Sequence, residues 1–221
     1  MILYDLHTHS TLSDGEMLPI ELVRRAAVLG YGTVAITDHV DSSNIASVII
    51  ALRRIKPLAA SFGVEFLAGV EITHVPPVMI PKLARQARKA GADIVVVHGE
   101  TPLEPVAPGT NFAACTCSDV DILAHPGLIT EEEILLARKQ GTAVELTSRC
   151  GHNRTNGHVA RIALEAGCRI VINSDAHAPG DLLDEKAKNF VARGAGLKED
   201  AAREVLAQDV TGWLNDRRSA L

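Results

Sequence analysis

Short, mostly apolar runs recur along the chain, and each gives way to polar residues. They occupy residues 2–6, 34–36, 66–70, 94–97, 122–124, 143–147 and 169–173. Runs that are rich in Val, Ile and Leu, with little alternation of polar residues, are typical of strands buried on both faces of a parallel sheet. The pattern therefore predicts seven parallel strands, one for each run.

Segments in which apolar residues recur at helical spacing separate these strands. They lie at 19–29, 45–62, 81–90, 130–141 and 157–166. Glycines stand in or just after the last turn of four of them, where a left-handed residue commonly ends a helix: Gly30, Gly91, Gly141 and Gly167. Thr130 followed by three glutamates is typical of a capping box. Two short helices, 181–192 and 199–207, and a polar tail complete the chain.

Alternating strands and helices predict an α/β fold. Because right-handed crossovers leave the helices outside, seven such units form a closed or nearly closed parallel barrel. We expect one domain over residues 1–221, in which 181–221 is a helical extension packed on the barrel. The proline-rich stretch 101–109 is predicted to be a long loop over the barrel mouth, where it could serve as a lid.

Composition narrows the class of protein. The chain has 221 residues, of which 47% are apolar, and no apolar run approaches the length of a membrane span. The first apolar run has no basic segment before it, so we expect no signal peptide. The four cysteines lack the Cys-x-x-Cys spacing of zinc knuckles and redox motifs. Reduced thiols, a cytoplasmic location and no membrane partner are the corresponding expectations.

Net charge and aromatic content indicate which kinds of substrate or partner the protein can bind. A net charge of −5 and an aromatic content of 3% argue against long nucleic acid, which is usually held by a basic stripe and aromatic platforms. A small phosphorylated substrate needs only a local positive site and remains compatible with this composition. The apolar stripes at 22–29 and 45–52 serve barrel packing and an oligomer interface equally well, so the sequence leaves the oligomeric state open.

Imidazoles and carboxylates cluster where the predicted strands end. Six of the nine histidines lie there. The full set of such groups is His7, His9, His39, Glu71, His98, His125, Asp175 and His177. In such folds, catalytic and ligand-binding residues lie at the carboxyl ends of the strands. His7 and His9 are two residues apart and share one face of an extended segment, so they can hold one ion. The donor types predict a site for a borderline dication.

These residues fall in motifs that resemble those of the PHP (polymerase and histidinol phosphatase) superfamily. The motifs occur in order as Asp5-Leu6-His7-Thr8-His9-Ser10, Ser13-Asp14-Gly15, Thr37-Asp38-His39, Gly69-Val70-Glu71, Val97-His98-Gly99, Ala124-His125-Pro126-Gly127 and Asn173-Ser174-Asp175-Ala176-His177. The resemblance implies a distorted (β/α)7 TIM-like barrel whose C-terminal rim holds two to three divalent metal ions: zinc, manganese or iron.

The resemblance also implies how the ligands are shared. His7, His9, Glu71 and Asp175 would hold one ion, and Glu71 would bridge to a second one bound by His98 and His125. A third ion would be held by Asp14, His39 and His177. Some members have a histidine where Asp14 stands, and an aspartate is more similar to the branch that acts on nucleotides and short oligonucleotides.

The segment 149–158 follows the sixth strand and enters a helix, whose N-cap would be Thr155 or Asn156. Such a helix start is a favourable place for an anion. The candidate phosphate-binding residues are Arg149, His152, Asn153, Arg154 and His158. A guanidinium suits a phosphate, and either His152 or His158 could protonate the leaving alkoxide. His74 lies on the opposite strand parity from Glu71, and we expect it to take no part.

The predicted function is metal-dependent hydrolysis of a small phosphate monoester, as in histidinol phosphate phosphatases, by a water molecule that the ions activate. Glu71, Asp175, Arg149 and His152 are the predicted catalytic residues. A nucleotidase or 5′-3′ exonuclease is the first alternative. An amidohydrolase fits less well, because the fourth strand lacks a bridging lysine. A non-catalytic PHP-like subunit of an RNA-processing particle is the alternative from another class, and it would be expected to have lost ligands and gained basic surface.

Overall fold

A computed structural model describes residues 3–219. In that range eight strands form one parallel sheet: β1 Leu3–Asp5, β2 Tyr31–Ile36, β3 His39–Val40, β4 Glu65–Ile72, β5 Ile94–His98, β6 Ile122–Ala124, β7 Ala143–Thr147 and β8 Ile170–Asn173. The order is β1-β2-β4-β5-β6-β7-β8. Both β2 and β3 pair with β4, one after the other, and together they occupy one strand position. The predicted barrel of seven parallel strands with helices around it is confirmed.

The helices in this range are α1 Pro19–Val28, α2 Ile45–Ala60, α3 Ile80–Ala90, α4 Thr110–Cys115, α5 Glu131–Gln140, α6 Asn156–Ala166, α7 Glu185–Gly194, α8 Glu199–Ala207 and α9 Val210–Ser219. Short 3₁₀ turns lie at Pro77–Met79, His152–Thr155 and Pro179–Asp181. Left-handed Gly91, Gly141 and Gly167 end α3, α5 and α6, as the sequence predicts. Thr130 and Glu133 form the predicted capping box at α5. The helices α4 and α9 were not predicted.

Apolar side chains form two layers. Alternate strand residues such as Tyr4, Leu67 and Val96 fill the barrel interior, while their neighbours pack against the surrounding helices. The helix α9 replaces the expected polar tail, and its Val210 and Leu214 join the interior layer. These two residues are one helical turn apart, which is too short a pattern to predict a helix from the sequence. The helix α9 therefore closes the amino end of the barrel.

The barrel closes between its first and last strands without a regular ladder. An isolated bridge joins Thr8 to Ala176 near the rim. Below it, the amide of Leu6 donates to Asn173 Oδ1 at 2.9 Å. Lys188 on α7 is fully buried, and its Nζ donates to the carbonyl oxygens of Tyr4 and Ile172. Side chains thus replace backbone pairing along most of this seam.

Among residues 3–219, no helix combines the length and the apolar sequence that crossing a bilayer requires.

Candidate metal centre

The nine metal ligands predicted from the sequence lie at the carboxyl end of the barrel, on β1, β3, β4, β5, β6 and β8 or in the turns that follow them. Glu71 is inside β4, which extends one residue beyond it to Ile72. Its partner in register on β3 is His39. The carboxylate of Glu71 therefore points from the strand itself, with histidines arriving from the neighbouring strand ends.

Glu71 is the central acceptor. Its Oε1 lies 3.3 Å from His7 Nε2 and 3.6 Å from His125 Nε2. Its Oε2 lies 2.7 Å from His39 Nδ1 and 3.7 Å from His9 Nε2. The side chain is fully buried. Although burial opposes ionisation, the charges of His7 and His39 hold the pKa of Glu71 well below its usual range. One buried carboxylate thus faces four imidazoles, which suits it to bridging cations.

Asp175 faces three of these four imidazoles, those of His7, His9 and His125. Its Oδ1 lies 3.2 Å from His9 Nε2 and 3.7 Å from His7 Nε2, and its Oδ2 lies 3.7 Å from His125 Nε2. Burial raises the pKa of Asp175 to about 7. With His74 and His125, Asp175 is one of three non-glycine residues in the described range that have positive φ. Backbone conformations of this kind concentrate at functional sites.

Asp14 lies at the edge of the centre, where three histidine side chains surround its carboxylate. Its Oδ2 lies 3.3 Å from His177 Nε2 and 3.5 Å from His39 Nε2, and its Oδ1 lies 3.9 Å from His9 Nδ1. Asp14 is the most exposed of these four residues. Although burial opposes the shift, hydrogen bonds with His177 and His39 hold its pKa well below the usual range. The three residues that the resemblance assigns to a third ion are thus together, with His9 beside them.

The arrangement fits cations. His7 Nδ1 lies 2.8 Å from Glu145 Oε1, so a neutral His7 donates there and turns the lone pair of Nε2 toward Glu71. Buried side-chain atoms without a hydrogen-bond partner in residues 3–219 include His7 Nε2, both ring nitrogens of His9, Glu71 Oε1 and His125 Nδ1. Lone pairs that face one another are costly in a buried site unless a cation lies between them. Imidazole and carboxylate donors suit zinc, manganese or iron.

Glu145 supports the centre and was not among the predicted residues. It is buried in β7, where Oε1 accepts from His7 Nδ1 and from Asn173 Nδ2, each at 2.8 Å, and Oε2 accepts from the amide of His125 at 3.1 Å. Although burial opposes it, the charges of Glu145 and Glu71 raise the pKa of His7 well above its usual value. A carboxylate in the middle of an otherwise apolar strand was the available signal.

His98 lies with residues that the sequence did not single out. Its Nε2 is 3.2 Å from Oε2 of Glu104, and the same oxygen is 2.9 Å from His74 Nε2. These three residues group together, whereas Glu71 and His125 group with His7. Glu104 belongs to the stretch 101–109, which lies at the mouth as expected. Hydrogen bonding to His98 lowers the pKa of Glu104 to about 2.

Two of the five predicted phosphate-binding residues line a pocket beside this centre. The pocket has a volume of about 490 Å³, and its lining includes Arg149, His152, Ser148, Ser174, Glu104 and Asp181. Arg149 Nη1 lies 3.3 Å from Asp181 Oδ2. His152 is buried, with Nε2 3.3 Å from Glu104 Oε1, and burial lowers its pKa.

The other three predicted residues lie elsewhere. Asn153 and Arg154 are exposed and are not part of the pocket lining. His158 Nε2 is 2.7 Å from the carbonyl oxygen of Ile129, so this nitrogen donates to the backbone. The N-cap of α6 is Thr155, as expected, but its side chain makes no cap hydrogen bond. The 3₁₀ turn ahead of α6 is what brings His152 toward the pocket.

A larger cleft, of about 880 Å³, lies beside the first residues of β7 and β8, at the amino end of the barrel. Arg138, Arg169 and Trp213 are among its lining residues. It lies at the opposite end of the barrel from the candidate ligands, so its size does not make it the reactive site.

Comparison with known proteins agrees with the motifs. The PHP domain model matches residues 5–197. An uncharacterized protein of Methanocaldococcus jannaschii is 50% identical over 198 residues, which are 88% of this chain and 90% of that protein. A probable phosphatase of Thermoanaerobacter sp. is 27% identical, over 98% of this chain and 96% of its own. A chain in the cryo-EM structure of archaeal ribonuclease P with mature tRNA has the same fold, with a TM-score of 0.71 at 18% identity, covering 98% of this chain and 92% of that one. The chain belongs to the PHP domain family.

Proposed function

We propose that this protein is a metal-dependent phosphatase that hydrolyses a small phosphate monoester. The observation that carries the proposal is the set of buried imidazole and carboxylate atoms around Glu71 and Asp175 that lack hydrogen-bond partners and lie beside a pocket lined by Arg149. The probable phosphatase of Thermoanaerobacter sp., which this chain matches along almost its whole length, supports it.

The proposed ligands are the nine residues predicted from the sequence, His7, His9, Asp14, His39, Glu71, His98, His125, Asp175 and His177. When bound, two to three ions of zinc, manganese or iron supply positive charge that lowers the pKa of a water molecule and neutralises the phosphoryl oxygens. Glu71 and Asp175 both face Nε2 of His7 and Nε2 of His9, and these two carboxylates would orient the attacking water.

Arg149 and His152 act on the substrate. The Arg149 guanidinium lies at the pocket wall, 3.3 Å from Asp181, and it can exchange that partner for two phosphate oxygens. Charge neutralisation of this kind is a large part of catalysis in phosphoryl transfer. His152 protonates the leaving alkoxide, because its Nε2 faces the pocket while that of His158 is engaged by Ile129.

The pocket favours a small substrate. Within residues 3–219, no Phe, Tyr or Trp lines it, so a nucleobase has no aromatic ring on which to stack. Tyr4 is buried in the barrel interior, and Phe112 is exposed on α4. Activity on nucleotides or 5′-phosphorylated oligonucleotides is the second candidate, and the aspartate Asp14, which lies beside His39 and His177, supports it. A non-catalytic role in an RNA-processing particle is less compatible with nine retained side chains around one centre.

Release of inorganic phosphate tests the proposal. Protein loaded in turn with manganese, zinc and iron is assayed on histidinol phosphate, AMP, adenosine 3′,5′-bisphosphate and a 5′-phosphorylated trinucleotide. We expect turnover of a small monoester and little activity on the trinucleotide. Preference for the nucleotides would move the assignment to the second candidate. Bound metal with no release from any of the four would contradict the proposal.

Glu71→Gln tests the role of the central carboxylate. The substitution keeps the shape of the side chain but removes a charge that faces four imidazoles. We expect it to weaken metal binding at two positions and to lower kcat by at least about 1000-fold, equivalent to about 4 kcal/mol. Metal content by mass spectrometry and phosphate release are the measurements. Glu165→Gln on the exposed face of α6 is the matched control. Full metal content and activity in Glu71→Gln would show that the bridging role is wrong.

A further inference from the structure

The cleft of about 880 Å³ at the amino end of the barrel contains side chains that the proposed phosphatase does not use. We name it the amino-end cleft. It lies between the start of β8 and the helices α8 and α9, and its volume is typical of sites for small molecules. Three of its lining residues contact one another: Arg169, Gln208 and Trp213.

Arg169 supplies positive charge to the amino-end cleft. Its guanidinium carbon lies 5.0 Å from the centre of the Trp213 ring, and its Nη1 donates to Gln208 Oε1. Within residues 3–219, this is the only hydrogen bond of the Arg169 side chain, and it forms no ion pair. A guanidinium has five N–H donors, so most of those of Arg169 are free for a carboxylate that enters the cleft.

A second guanidinium, that of Arg138, lies in the same lining. Arg138 is in the last turn of α5, and its Cζ would lie 3.9 Å from a Cβ at Gly167, so it reaches the carboxyl end of α6. The thiol of Cys168 is near both guanidiniums. Although burial raises the pKa of Cys168 to about 11, the charges of Arg138 and Arg169 act against that increase. The two cations therefore act on one part of the cleft wall.

Helix ends bring negative charge to the same cleft. Gly141, Gly167 and Ala207 line it, and they lie at the carboxyl ends of α5, α6 and α8. The last carbonyl groups of a helix lack intrahelical partners and carry the negative end of its dipole. The exposed carboxylate of Glu204 is also in the lining. The cleft thus offers acceptors for an ammonium group as well as donors for a carboxylate.

Apolar side chains complete the lining. Leu164 is 47% exposed, and Val205 and the Trp213 ring are partly exposed. Covering these side chains with an apolar group removes both surfaces from water, which favours binding. The amino-end cleft therefore combines positive, negative and apolar surface.

We propose that the amino-end cleft binds a small zwitterion with an apolar side chain, such as an apolar amino acid. Its carboxylate binds the guanidiniums of Arg169 and Arg138. Its ammonium group faces Glu204 and the carboxyl ends of the three helices, and its side chain covers Leu164 and Val205. A simple anion would leave the negative helix ends unpaired, and a simple cation would meet two guanidiniums. The site is at the opposite end of the barrel from the metal centre, so its ligand does not compete with a phosphate substrate.

Fluorescence of Trp213 tests the proposal. Trp213 is the only tryptophan in the chain, so its emission reports on this cleft and not on the metal centre. The full chain is titrated with L-valine, L-leucine, L-isoleucine, L-methionine and L-phenylalanine. We expect at least one of them to change the emission saturably and to shift the midpoint of urea unfolding upward. No response to any of the five would overturn the proposal, as would a shifted midpoint with unchanged emission.

Charge analogues of the amino acid that binds best test the zwitterion. The corresponding acid without the amino group lacks the ammonium, and the corresponding amide lacks the carboxylate. We expect each analogue to bind at least about tenfold more weakly, equivalent to about 1.4 kcal/mol. An acid that binds as tightly as the amino acid would overturn the ligand class. An amide that does so would show that the guanidiniums do not bind the ligand.

Substitutions of the two arginines test the same contacts from the protein. We expect Arg169→Gln and Arg138→Gln each to weaken binding by at least about tenfold. Arg161→Gln is the matched control, because Arg161 lies on α6 outside the cleft lining and pairs with Glu165 at 3.0 Å. Unchanged affinity in both cleft variants would overturn the site.

The proposal rests on ligand binding at the amino end and not on hydrolysis, so the two can fail separately. Saturable binding of an amino acid by a chain that releases no phosphate would support the cleft and reject the phosphatase assignment. Phosphate release by a chain that binds none of the five amino acids would reject the cleft alone.

Discussion

At the scale of single residues, the hydrogen bond that Nδ1 of an imidazole makes determines whether Nε2 has a free lone pair for a metal ion. Nδ1 of His7 faces Glu145, that of His98 faces the carbonyl of Gly99, and that of His177 lies 3.0 Å from the carbonyl of Asp175. In each neutral ring, Nδ1 donates and Nε2 keeps its lone pair. Each of these Nε2 atoms faces a carboxylate oxygen. Hydrogen bonds of this kind fix the ring orientation that metal binding needs.

The substitution Glu145→Gln tests whether the hydrogen bond from His7 Nδ1 to Glu145 positions the His7 ring for metal binding. The carboxylate accepts three hydrogen bonds, from His7, Asn173 and the amide of His125. A glutamine offers only one acceptor oxygen and places an NH₂ against a donor, so at least one buried donor loses its partner. We expect metal affinity to fall by about 10- to 100-fold and the protein to be destabilised by about 1–3 kcal/mol.

Zinc competition and urea unfolding measure the two effects of Glu145→Gln. Glu165→Gln again serves as the control, since its side chain pairs only with Arg161 on the surface of α6. Metal affinity that stays within a factor of two of the control would show that Glu145 does not position His7.

The sequence predicted the candidate site residues that follow strands. It did not predict the residues that contact and position these candidate ligands. His7, His125 and Asp175 follow buried strands, and the carboxyl ends of such strands meet at one rim. Glu145 lies within a strand and not after it, so a search for polar residues at strand ends does not find it, although a carboxylate in an apolar strand is unusual. His74 follows β4 in a left-handed backbone conformation, which the alternation of strand residues does not predict. Contacts made by Glu104 depend on the loop conformation, which no local pattern encodes.

At the scale of elements, the alternation of strands and helices was predicted, while several boundaries and short elements were not. The second predicted strand, 34–36, lies within β2, and the short strand β3 that follows was not predicted. The break at Thr37 and Asp38 between them lets Asp38 accept from Ser10 and Ser13 at 2.7 Å. These bonds shape the turn that carries Asp14. The helix α4 has six residues, too few for helical spacing to be recognised.

The glycine ahead of the 3₁₀ turn gives a prediction about how that element positions His152. Gly151 has φ 89° and ψ −46°, a conformation that other residues rarely adopt, and a Cβ there would collide with Leu103. We expect Gly151→Ala to destabilise the protein by about 1–3 kcal/mol. Displacing Leu103 and His152 should also lower kcat of the proposed phosphate release.

Gly157→Ala is the matched control for Gly151→Ala. It lies in α6, and the nearest atom to its Cβ would be 3.9 Å away. Alanine should therefore be neutral, or stabilise the helix by up to about 1 kcal/mol. Urea unfolding and phosphate release measure both variants. If they behave alike, Gly151 does not determine the geometry of the pocket wall.

At the scale of the whole molecule, one buried lysine contributes to the closure of the barrel. Lys188 donates to carbonyl oxygens of both strands at the seam, and its ammonium lies 4.3 Å from the centre of the Tyr4 ring. Burial lowers its pKa to about 8. Asp5 is buried nearby and accepts from the amide of Ser174 across the seam. Charged and polar side chains thus join the first strand to the last.

Lys188 makes the stability of the protein depend on pH. In the unfolded chain a lysine titrates near 10.5, so between pH 8 and 10.5 the unfolded state binds more protons than the folded one. The contribution of Lys188 to stability therefore rises with pH in that window, by up to about 1.4 kcal/mol for each pH unit. Lys188→Met lacks this contribution and leaves two carbonyl oxygens unpaired. We expect the variant to be less stable by about 1–3 kcal/mol at neutral pH, with a gap that widens above pH 8.

Urea unfolding of both proteins from pH 7 to 10 measures this gap. Comparing the two chains at each pH cancels the titration of the tyrosines and cysteines, which they share. A difference that stays constant over the whole range would show that Lys188 titrates normally in the folded protein.

The seam also determines when the metal centre can form during synthesis. The two strands that meet at the seam are the first and the last of the barrel. His7 and His9 follow the first of them, whereas Asp175 and His177 follow the last. A ribosome that adds residues one at a time exposes the first pair long before the second. The nascent chain can therefore present two histidines to any free dication, but the complete cage around that ion is assembled only after the last strand has emerged.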